Sequence, residues 1–270
     1  MAGVEEKAPV GIDVSVPHSA RIYNFWTGGK DNFAADRAMA QAIEGAIPSI
    51  RAMAMANRDF VLRAVEYLVR EAGIRQFIDI GTGIPASPNV HEVAQAVKPD
   101  ARVVYVDNDP IVLAHARALL VSHSAGSTAY IDGDLRDPAS ILDTAQLRNT
   151  VDLSEPVALL LIAVLMLVRD DDDPLAAVRS IMDKLAPGSY VVITHPTGDF
   201  DPPAMKTVVE TATYGGMTFV ARSREQVEEY FAGWEFVEPG LVPVLAWRPE
   251  DRPDDERAAY YWAGVARKPD

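Results

Sequence analysis

Three polar turns carry the side chains with the clearest chemical potential. The segment FIDIGTGIP, residues 77–85, leaves an apolar run and enters a turn with Gly81 and Gly83, where the absence of a Cβ lets a ligand approach the backbone. Farther along, RVVYVDND contains Asp107 and TAYIDGDLRD contains Asp134. An acid that follows a neighbouring strand at this spacing is placed to accept hydrogen bonds from ribose hydroxyls. The three turns together predict a nucleoside site.

The glycine turn differs from the one that binds dinucleotides. Position 86 is alanine where the G-x-G-x-x-G pattern needs glycine, and the next helix is predicted to begin only near Pro88 or Asn89. A dinucleotide turn runs directly into its helix, so that the first helical amides meet the pyrophosphate. A delayed helix favours a nucleoside without phosphates, such as S-adenosylmethionine, whose amino group Asp79 can receive. A dinucleotide-dependent oxidoreductase stays open as an alternative.

The elements around these turns predict an α/β protein. Apolar strands alternate with helices of about ten residues, which is typical of βαβ units and a parallel sheet covered on both faces. The acidic run at residues 170–173 is predicted to form a solvated turn and a helix N-terminus. The expected strands are QFIDIG, RVVYVD, TAYIDGD, PVALLLIAV and SYVVITH, followed by the strand-like segments WEFVEPG, LVPVLAW and YYWAGVARK.

Composition narrows the classes of function. The formal net charge is −14, and no run of Lys or Arg is present, so a nucleic-acid partner is disfavoured. The absence of cysteine excludes disulfides and zinc-thiolate sites, and no metal site is expected. The most apolar run, residues 157–168, is too short to span a bilayer, and the N-terminus lacks the apolar core of a signal peptide. We therefore expect a cytoplasmic protein without a membrane partner, either a monomer or a homodimer.

The N-terminal region has a different character from the rest. Residues 1–17 are predicted to be a tail, residues 18–72 a helical cap, and residues 73–270 the ligand-binding core, which forms one compact domain with the cap. Tyr23, Lys30 and Asn32 surround a Gly-Gly pair in the cap. They either pack on the sheet edge or belong to a lid that faces the ligand, and the two interpretations are compatible. Asn57 and Arg58, on the next helix, are further candidates for lining the cavity, with a surface salt bridge as the alternative for Arg58.

Few residues are candidates for a general base. His91 and His115 fall on predicted helices and are expected on the surface. His195 ends the fifth strand, at the edge of the sheet where ligands bind, so His195 and Tyr23 are the candidates for a catalytic role. A structural or capping role is the alternative for His195.

The chain resembles the actinobacterial S-adenosylmethionine-dependent methyltransferase family that was formerly a domain of unknown function. The resemblance extends from about residue 17 to residue 268. It rests on the segments ARIYNFWTGGKDNFAADR, ANRDFVLRAVEYL, RQFIDIGTGIP, VVYVDNDPIVLAHARALL and FVEPGLVPVLAWRPE. It implies a Rossmann-like class I methyltransferase fold, with a seven-stranded, mostly parallel sheet, helices on both faces, a last antiparallel strand and an N-terminal helical cap.

The resemblance also implies roles for individual residues. The methionine part of S-adenosylmethionine is expected around Asp79, Gly81 and Gly83, and the ribose at Asp107. The adenine is expected beside Asn108, with Asp134 and Leu135 at its edge. The complete predicted cofactor site comprises Asp79, Gly81, Thr82, Gly83, Asp107, Asn108, Asp134, Leu135, Ala163, Tyr23, Lys30 and Asn32. Relatives usually carry a histidine after the fourth strand, where this chain has Met166.

The favoured function is therefore an S-adenosylmethionine-dependent methyltransferase that acts on a small-molecule acceptor and releases S-adenosylhomocysteine. Met166 and the lack of an evident base leave open a non-catalytic regulator that binds S-adenosylmethionine. An NAD(P)-dependent oxidoreductase is the third possibility, which the missing glycine and the helical cap disfavour.

Overall fold

Helices form the N-terminal part of the protein. The computed structural model describes residues 13–119, 122–251 and 254–270, so most of the predicted tail lies outside the described residues. Helix α1 spans Ser19–Trp26, α2 spans Ala34–Ala46 and α3 spans Ile50–Arg70. The helical prediction for this region is confirmed. The limits of the cap and of the core remain predictions.

Strands and helices alternate through the rest of the chain. The helix after the first strand begins at Val90 with Asn89 as its N-cap, which confirms the delayed start. The strands are β1 (Gln76–Ile80), β2 (Arg102–Asp107), β3 (Ser127–Asp132), β4 (Ala158–Ile162), β5 (Tyr190–Pro196), β6 (Glu235–Phe236), β7 (Val242–Pro243) and β8 (Tyr261–Arg267). The helices are α4 (Val90–Val97), α5 (Pro110–Leu119), α6 (Ala139–Leu142), α7 (Ala145–Thr150), α8 (Pro174–Met182), α9 (Pro202–Tyr214) and α10 (Arg224–Glu228).

The strands form one sheet in the order β3-β2-β1-β4-β5-β8-β6, with β7 also paired to β8. The first five strands are parallel, and β8 runs antiparallel to β5. The family resemblance implied seven strands, and the described residues form eight, two of them only two residues long. The segment from Trp234 to Trp247 pairs so little because Pro239 and Pro243 lack the N–H that a ladder requires.

Side chains alternate between the two faces of the sheet, and this alternation orients the predicted acids. Phe77 and Val103 lie in the apolar cluster that contains Phe60 of α3. Asp79 and Asp107 follow Phe77 and Val103 at even spacing along β1 and β2, so they lie on the face that the N-terminal helices cover. The opposite face packs against a second cluster that includes residues of α7 and α8.

Helix α9 was not predicted from the sequence pattern. Asp201 caps its N-terminus by accepting a hydrogen bond from the Ala204 amide, and Met205, Val208 and Ala212 form its buried face. Four of its other residues, Thr207, Val209, Thr211 and Thr213, are β-branched and have modest helix propensity. Packing against α2 therefore supports its helical conformation. Within the part of the chain that the structure describes, no helix is both long enough and apolar enough to cross a membrane.

Candidate active site

A cavity opens at the carboxyl edge of the sheet, where the strand order reverses between β1 and β4. Open α/β sheets bind their ligands at this position. Its walls come from α1 and α3, from the turn after β1, from the end of β2 and from the segment that follows β4. The charged residues that line it are Asp79, Asp107 and Arg58.

Asp79 presents a carboxyl group to this cavity from a buried position. Its exposed fraction is 7%. Burial and, to a smaller extent, the negative charge of Asp107 raise the pKa of the Asp79 carboxyl to about 7, although a hydrogen bond with Thr82 opposes the shift. No Lys, Arg or His among the described residues forms an ion pair with it. Asp79 is therefore a buried acid whose charged form has no cationic partner among the described residues.

The turn after β1 brings backbone amides to the second acid. Gly81 and Gly83 adopt the left-handed conformation, with φ of 75° and 68°. The Gly83 amide donates to Asp107 Oδ2 at 2.9 Å, and the Asp109 amide donates to Asp107 Oδ1 at 2.9 Å. These two bonds fix the orientation of the carboxyl group. A side chain at Gly81 has no room, because its Cβ would lie 2.5 Å from Val164 Cγ2.

The segment after β4 forms another wall of the cavity. Ala163 has a φ of 52°, which is rare for a residue with a side chain, and its amide donates to the Thr194 carbonyl at 3.1 Å. The chain then makes a short 3-10 turn at Leu165–Leu167. Met166 and Leu167 line the cavity from this turn.

A buried arginine holds the same segment from below. Arg222 is 3% exposed, and its guanidinium donates to the carbonyls of Leu165 at 2.9 Å and Val168 at 3.0 Å. It also donates to Asp170 Oδ1 at 2.6 Å and to His195 Nε2 at 2.8 Å. Three of these partners belong to the segment after β4 and the fourth to β5, so Arg222 fixes the path of this segment relative to the sheet.

The N-terminal helices close the cavity with Tyr23, Asn57 and Arg58. The Tyr23 hydroxyl donates to the Ala54 carbonyl at 2.7 Å, and burial raises the pKa of this phenol to about 12. The Arg58 guanidinium donates to the carbonyls of Ala86 and Pro88. Arg58 therefore ties α3 to the loop that leads into α4.

Comparison with known proteins identifies the family. The S-adenosyl methyltransferase family model matches residues 5–269. The chain belongs to this family. The prediction of an S-adenosylmethionine-dependent methyltransferase is thereby confirmed at the level of family, enzyme class and cofactor.

Solved structures agree with this membership. A DUF574 family protein from Streptomyces avermitilis is 45% identical, with a TM-score of 0.93 over 95% of this chain and 99% of that one. A candidate methyltransferase from Thermobifida fusca YX is 40% identical, with a TM-score of 0.89 over 97% and 98%. The plantazolicin methyltransferase BpumL, solved in complex with SAH, is 11% identical over 92% of this chain and 95% of that one; its TM-score of 0.50 supports the fold alone. No curated protein matches this chain.

Seven of the predicted site residues of the methyltransferase meet at the cavity: Tyr23, Asp79, Gly81, Thr82, Gly83, Asp107 and Ala163. Five others do not line it. Lys30 is exposed, and Leu135 is buried in the core on the opposite face of the sheet. Asn108 donates to Asp134 Oδ2 at 3.1 Å just outside the cavity, and Asp134 is paired with Arg136.

The prediction that Asn32 faces the ligand in a lid does not match its contacts. Its amide nitrogen donates to Asn24 Oδ1 at 3.0 Å and to the Gly29 carbonyl at 3.1 Å, and the residue is buried. Arg37 donates to the Asn32 carbonyl. Asn32 therefore closes the loop between α1 and α2.

His195 does not line the cavity either. It is fully buried, and burial lowers the pKa of its imidazole to about 3. Because an arginine only donates, Nε2 accepts from Arg222, and Nδ1 therefore donates to the Pro196 carbonyl at 2.9 Å. Both ring nitrogens are thus used in structural contacts.

The expectation that His91 lies on the surface was wrong, since it is 1% exposed and contacts the Tyr105 hydroxyl. His115 is half-buried, and its Nε2 lies 3.7 Å from Asp31 Oδ1. The acidic run at residues 170–173 forms the predicted turn and helix start, with the Asp173 carboxyl accepting from the Ala176 amide. Over the described ranges, no group of three or more acidic or histidine side chains is arranged to hold a metal ion.

Sequence reasoning missed Arg222. It stands alone before the Ser223 cap of α10, with no pattern around it that indicates burial. Val61 and Leu62 of α3 also line the cavity, and helical periodicity alone did not distinguish them from core residues.

Proposed function

We propose that this cavity binds S-adenosylmethionine between β1, β2 and β4 and that the enzyme methylates a small-molecule acceptor there. Asp79 then receives the amino group of the methionine part, the turn at Gly81 and Gly83 lies against that part, and Asp107 accepts from the ribose hydroxyls. The observation that carries the proposal is the buried carboxyl group of Asp79, which faces the cavity without a cationic partner.

A ligand ammonium group is the partner that Asp79 lacks. A buried carboxylate needs an opposite charge or several hydrogen bonds to remain ionised. Asp79 is held partly protonated at neutral pH by burial and by Asp107. An amino group in the cavity compensates for that burial and lowers the pKa of the carboxyl. These carboxyl groups therefore fit the cofactor that the family uses.

Asp107 is oriented for the hydroxyls of a ribose. Each of its oxygens already accepts one backbone amide, which leaves a further lone pair on each for a ligand. Asn108 and Asp134 lie next to it, beyond the cavity. We infer that the adenine extends from Asp107 towards this pair and towards Leu135, while Lys30 and Asn32 act through the cap and not by direct contact.

The bound cofactor supplies an electrophilic methyl group. The chain contributes a closed environment and fixed positions, which are the main sources of catalysis in such a transfer. Tyr23, Met166 and Leu167 line the same cavity as the acids and contribute apolar surface to it. The enclosure by α1 and α3, together with the net charge of −14, supports a small acceptor in preference to a nucleic acid.

Calorimetric titration tests the proposal. S-adenosylhomocysteine is expected to bind the wild-type protein. Asp107→Ala is expected to weaken this binding at least tenfold, because the carboxylate that accepts hydrogen bonds from both ribose hydroxyls is then absent. The matched control is Asp143→Ala, an exposed acid on the C-cap of α6. Tighter binding of NADH than of S-adenosylhomocysteine contradicts the assignment.

Incubation with methyl-labelled S-adenosylmethionine and an actinobacterial small-molecule extract tests transfer. We expect a labelled product of low molecular mass. Saturable binding without any labelled product favours the non-catalytic regulator, for which Met166 at the cavity wall is the relevant observation.

A further inference from the structure

Arg58 brings a positive charge to the cavity. It is half-buried on α3, and of the described residues that line the cavity it is the only cation. Its guanidinium donates through Nη2 to the carbonyls of Ala86 and Pro88, and both of these residues line the same cavity. The charge of Arg58 also reaches the Tyr23 phenol, where it opposes the rise in pKa that burial causes. The charged end of the side chain therefore lies at the cavity wall.

The charge of Arg58 has no acidic partner in the protein. No Asp or Glu in the described ranges forms an ion pair with it, and both of its hydrogen bonds to carbonyl oxygens come from Nη2. A guanidinium has five N–H donors, so the three on Nε and Nη1 remain available. Carbonyl oxygens are neutral and leave the positive charge uncompensated. An anion in the cavity is the partner that this guanidinium lacks.

Asp79 has the opposite deficiency in the same cavity, because its buried carboxyl group has no cationic partner among the described residues. An α-amino acid carries its ammonium group and its carboxylate on one carbon atom, so a single ligand can pair with both residues. We propose that Arg58 binds the α-carboxylate of the methionine part of S-adenosylmethionine while Asp79 receives its amino group. The inference rests on the proposed function, because it concerns the same ligand in the same cavity.

The position of Arg58 supports this assignment. In the proposed function the methionine part lies against the turn at residues 81–83, and the chain runs from this turn directly to Ala86, which Arg58 contacts. Val61 and Leu62 follow Arg58 at helical spacing and also line the cavity, so this side of α3 faces the ligand. The amino-acid end of the cofactor therefore lies between α3 and the turn after β1.

The signs of the charges agree with this arrangement. The charged residues that line the cavity are two acids and one arginine. S-adenosylmethionine carries the reverse set, with a sulfonium, an ammonium and one carboxylate. Removing the carboxylate from the ligand leaves Arg58 without an anion. Arg58 is therefore expected to favour nucleosides with a complete amino-acid end over decarboxylated forms, because hydrogen bonds between charged groups are the stronger ones.

Four thioether nucleosides that differ only beyond the sulfur test this specificity. They are S-adenosylhomocysteine, its decarboxylated form, its deaminated form and 5′-methylthioadenosine, and their binding is measured by calorimetric titration at neutral pH. The wild-type protein is expected to bind S-adenosylhomocysteine about tenfold or more tightly than the decarboxylated form. Arg58→Met is expected to lose about tenfold for the two ligands with a carboxylate and to bind the other two within about threefold of wild type. Arg58→Lys is expected to retain part of the preference.

The matched control is Arg70→Met, an exposed position on the same helix, which is expected to bind all four ligands like wild type. Because Arg58 also holds the loop after the glycine turn, 5′-methylthioadenosine reports on the integrity of the site. The assignment of Arg58 is overturned if Arg58→Met weakens this ligand as much as S-adenosylhomocysteine, or if its affinity for S-adenosylhomocysteine is unchanged, which leaves its charge to an anionic methyl acceptor. Failure of the wild-type protein to bind S-adenosylhomocysteine overturns the proposed function itself.

Discussion

Replacing Asp79 with asparagine is expected to stabilise the cofactor-free protein while it weakens the cofactor complex. Asparagine has nearly the same shape and carries no charge. The pKa of the Asp79 carboxyl is raised from 3.8 to about 7 in the folded protein. The folded state therefore retains a proton that the unfolded chain releases, and stability falls as the pH rises from about 4 to about 7.

The magnitude follows from the size of this shift. A displacement of about 3 pKa units corresponds to roughly 4 kcal/mol of lost stability above pH 7, as an upper bound. Asp79→Asn is expected to recover part of this free energy of unfolding at pH 8 and almost none at pH 4. In the complex the same change removes the partner of a buried ammonium group, which costs about 2 kcal/mol or more and so about 30-fold in affinity.

Urea unfolding at pH 4 and pH 8, with S-adenosylhomocysteine titrations across pH 6–8, measures both effects. Wild-type affinity is expected to rise as the pH passes through about 7, because the ionised carboxyl binds the ligand, and the variant is expected to show a flatter profile. Asp143→Asn, at an exposed position, is the control. If cofactor-free Asp79→Asn is less stable than wild type at pH 8, or binds S-adenosylhomocysteine equally well, the reasoning about Asp79 is wrong.

Three other changes have expected outcomes. Gly81→Ala combines a positive φ with a Cβ 2.5 Å from Val164 Cγ2 and is expected to lower the free energy of unfolding by about 2 kcal/mol or more. Gly83→Ala also has a positive φ but open space around its Cβ, so the expected loss is about 1 kcal/mol. Equal losses of the two variants in urea unfolding contradict the packing argument. Arg222→Met removes the donor to the Leu165 and Val168 carbonyls and is expected to cost about 3 kcal/mol, with faster amide exchange across residues 165–170; unchanged exchange there counts against its anchoring role. His195→Gln is expected to leave the pH profile of methyl transfer between pH 6 and pH 9 unaltered, because the pKa of this imidazole is about 3, and a lost inflection indicates a catalytic role.

The sequence predicted the parallel sheet and the place of its ligand site because the responsible signals are local. The strand before Gly81 is apolar and short, and the glycines mark the turn directly. Asp79 and Asp107 follow from strand alternation, since even spacing puts both on one face of the sheet. The delayed start of α4 was equally visible in Pro88 and Asn89.

Other features depend on contacts that no local pattern contains. His91 sits on a short helix whose buried face includes two adjacent residues, so periodicity could not decide its exposure. Asn32 and Lys30 look alike as lid candidates, but only a hydrogen bond from Asn32 to Asn24 determines that it closes a loop. Burial of Arg222 depends on carbonyls that lie far away in the sequence, and these emerge only when the chain is folded.

The segment after β4 is held in place mainly through its backbone. Arg222 contacts carbonyl oxygens of this segment, and the Val220 amide donates to the Met166 carbonyl at 2.8 Å, so the backbone is held whichever side chains point into the cavity. The path of this backbone therefore does not depend on the side chains of Met166 and Leu167. Under the proposed function, these two positions can differ between relatives and so change the surface offered to the acceptor while the path of the segment is preserved.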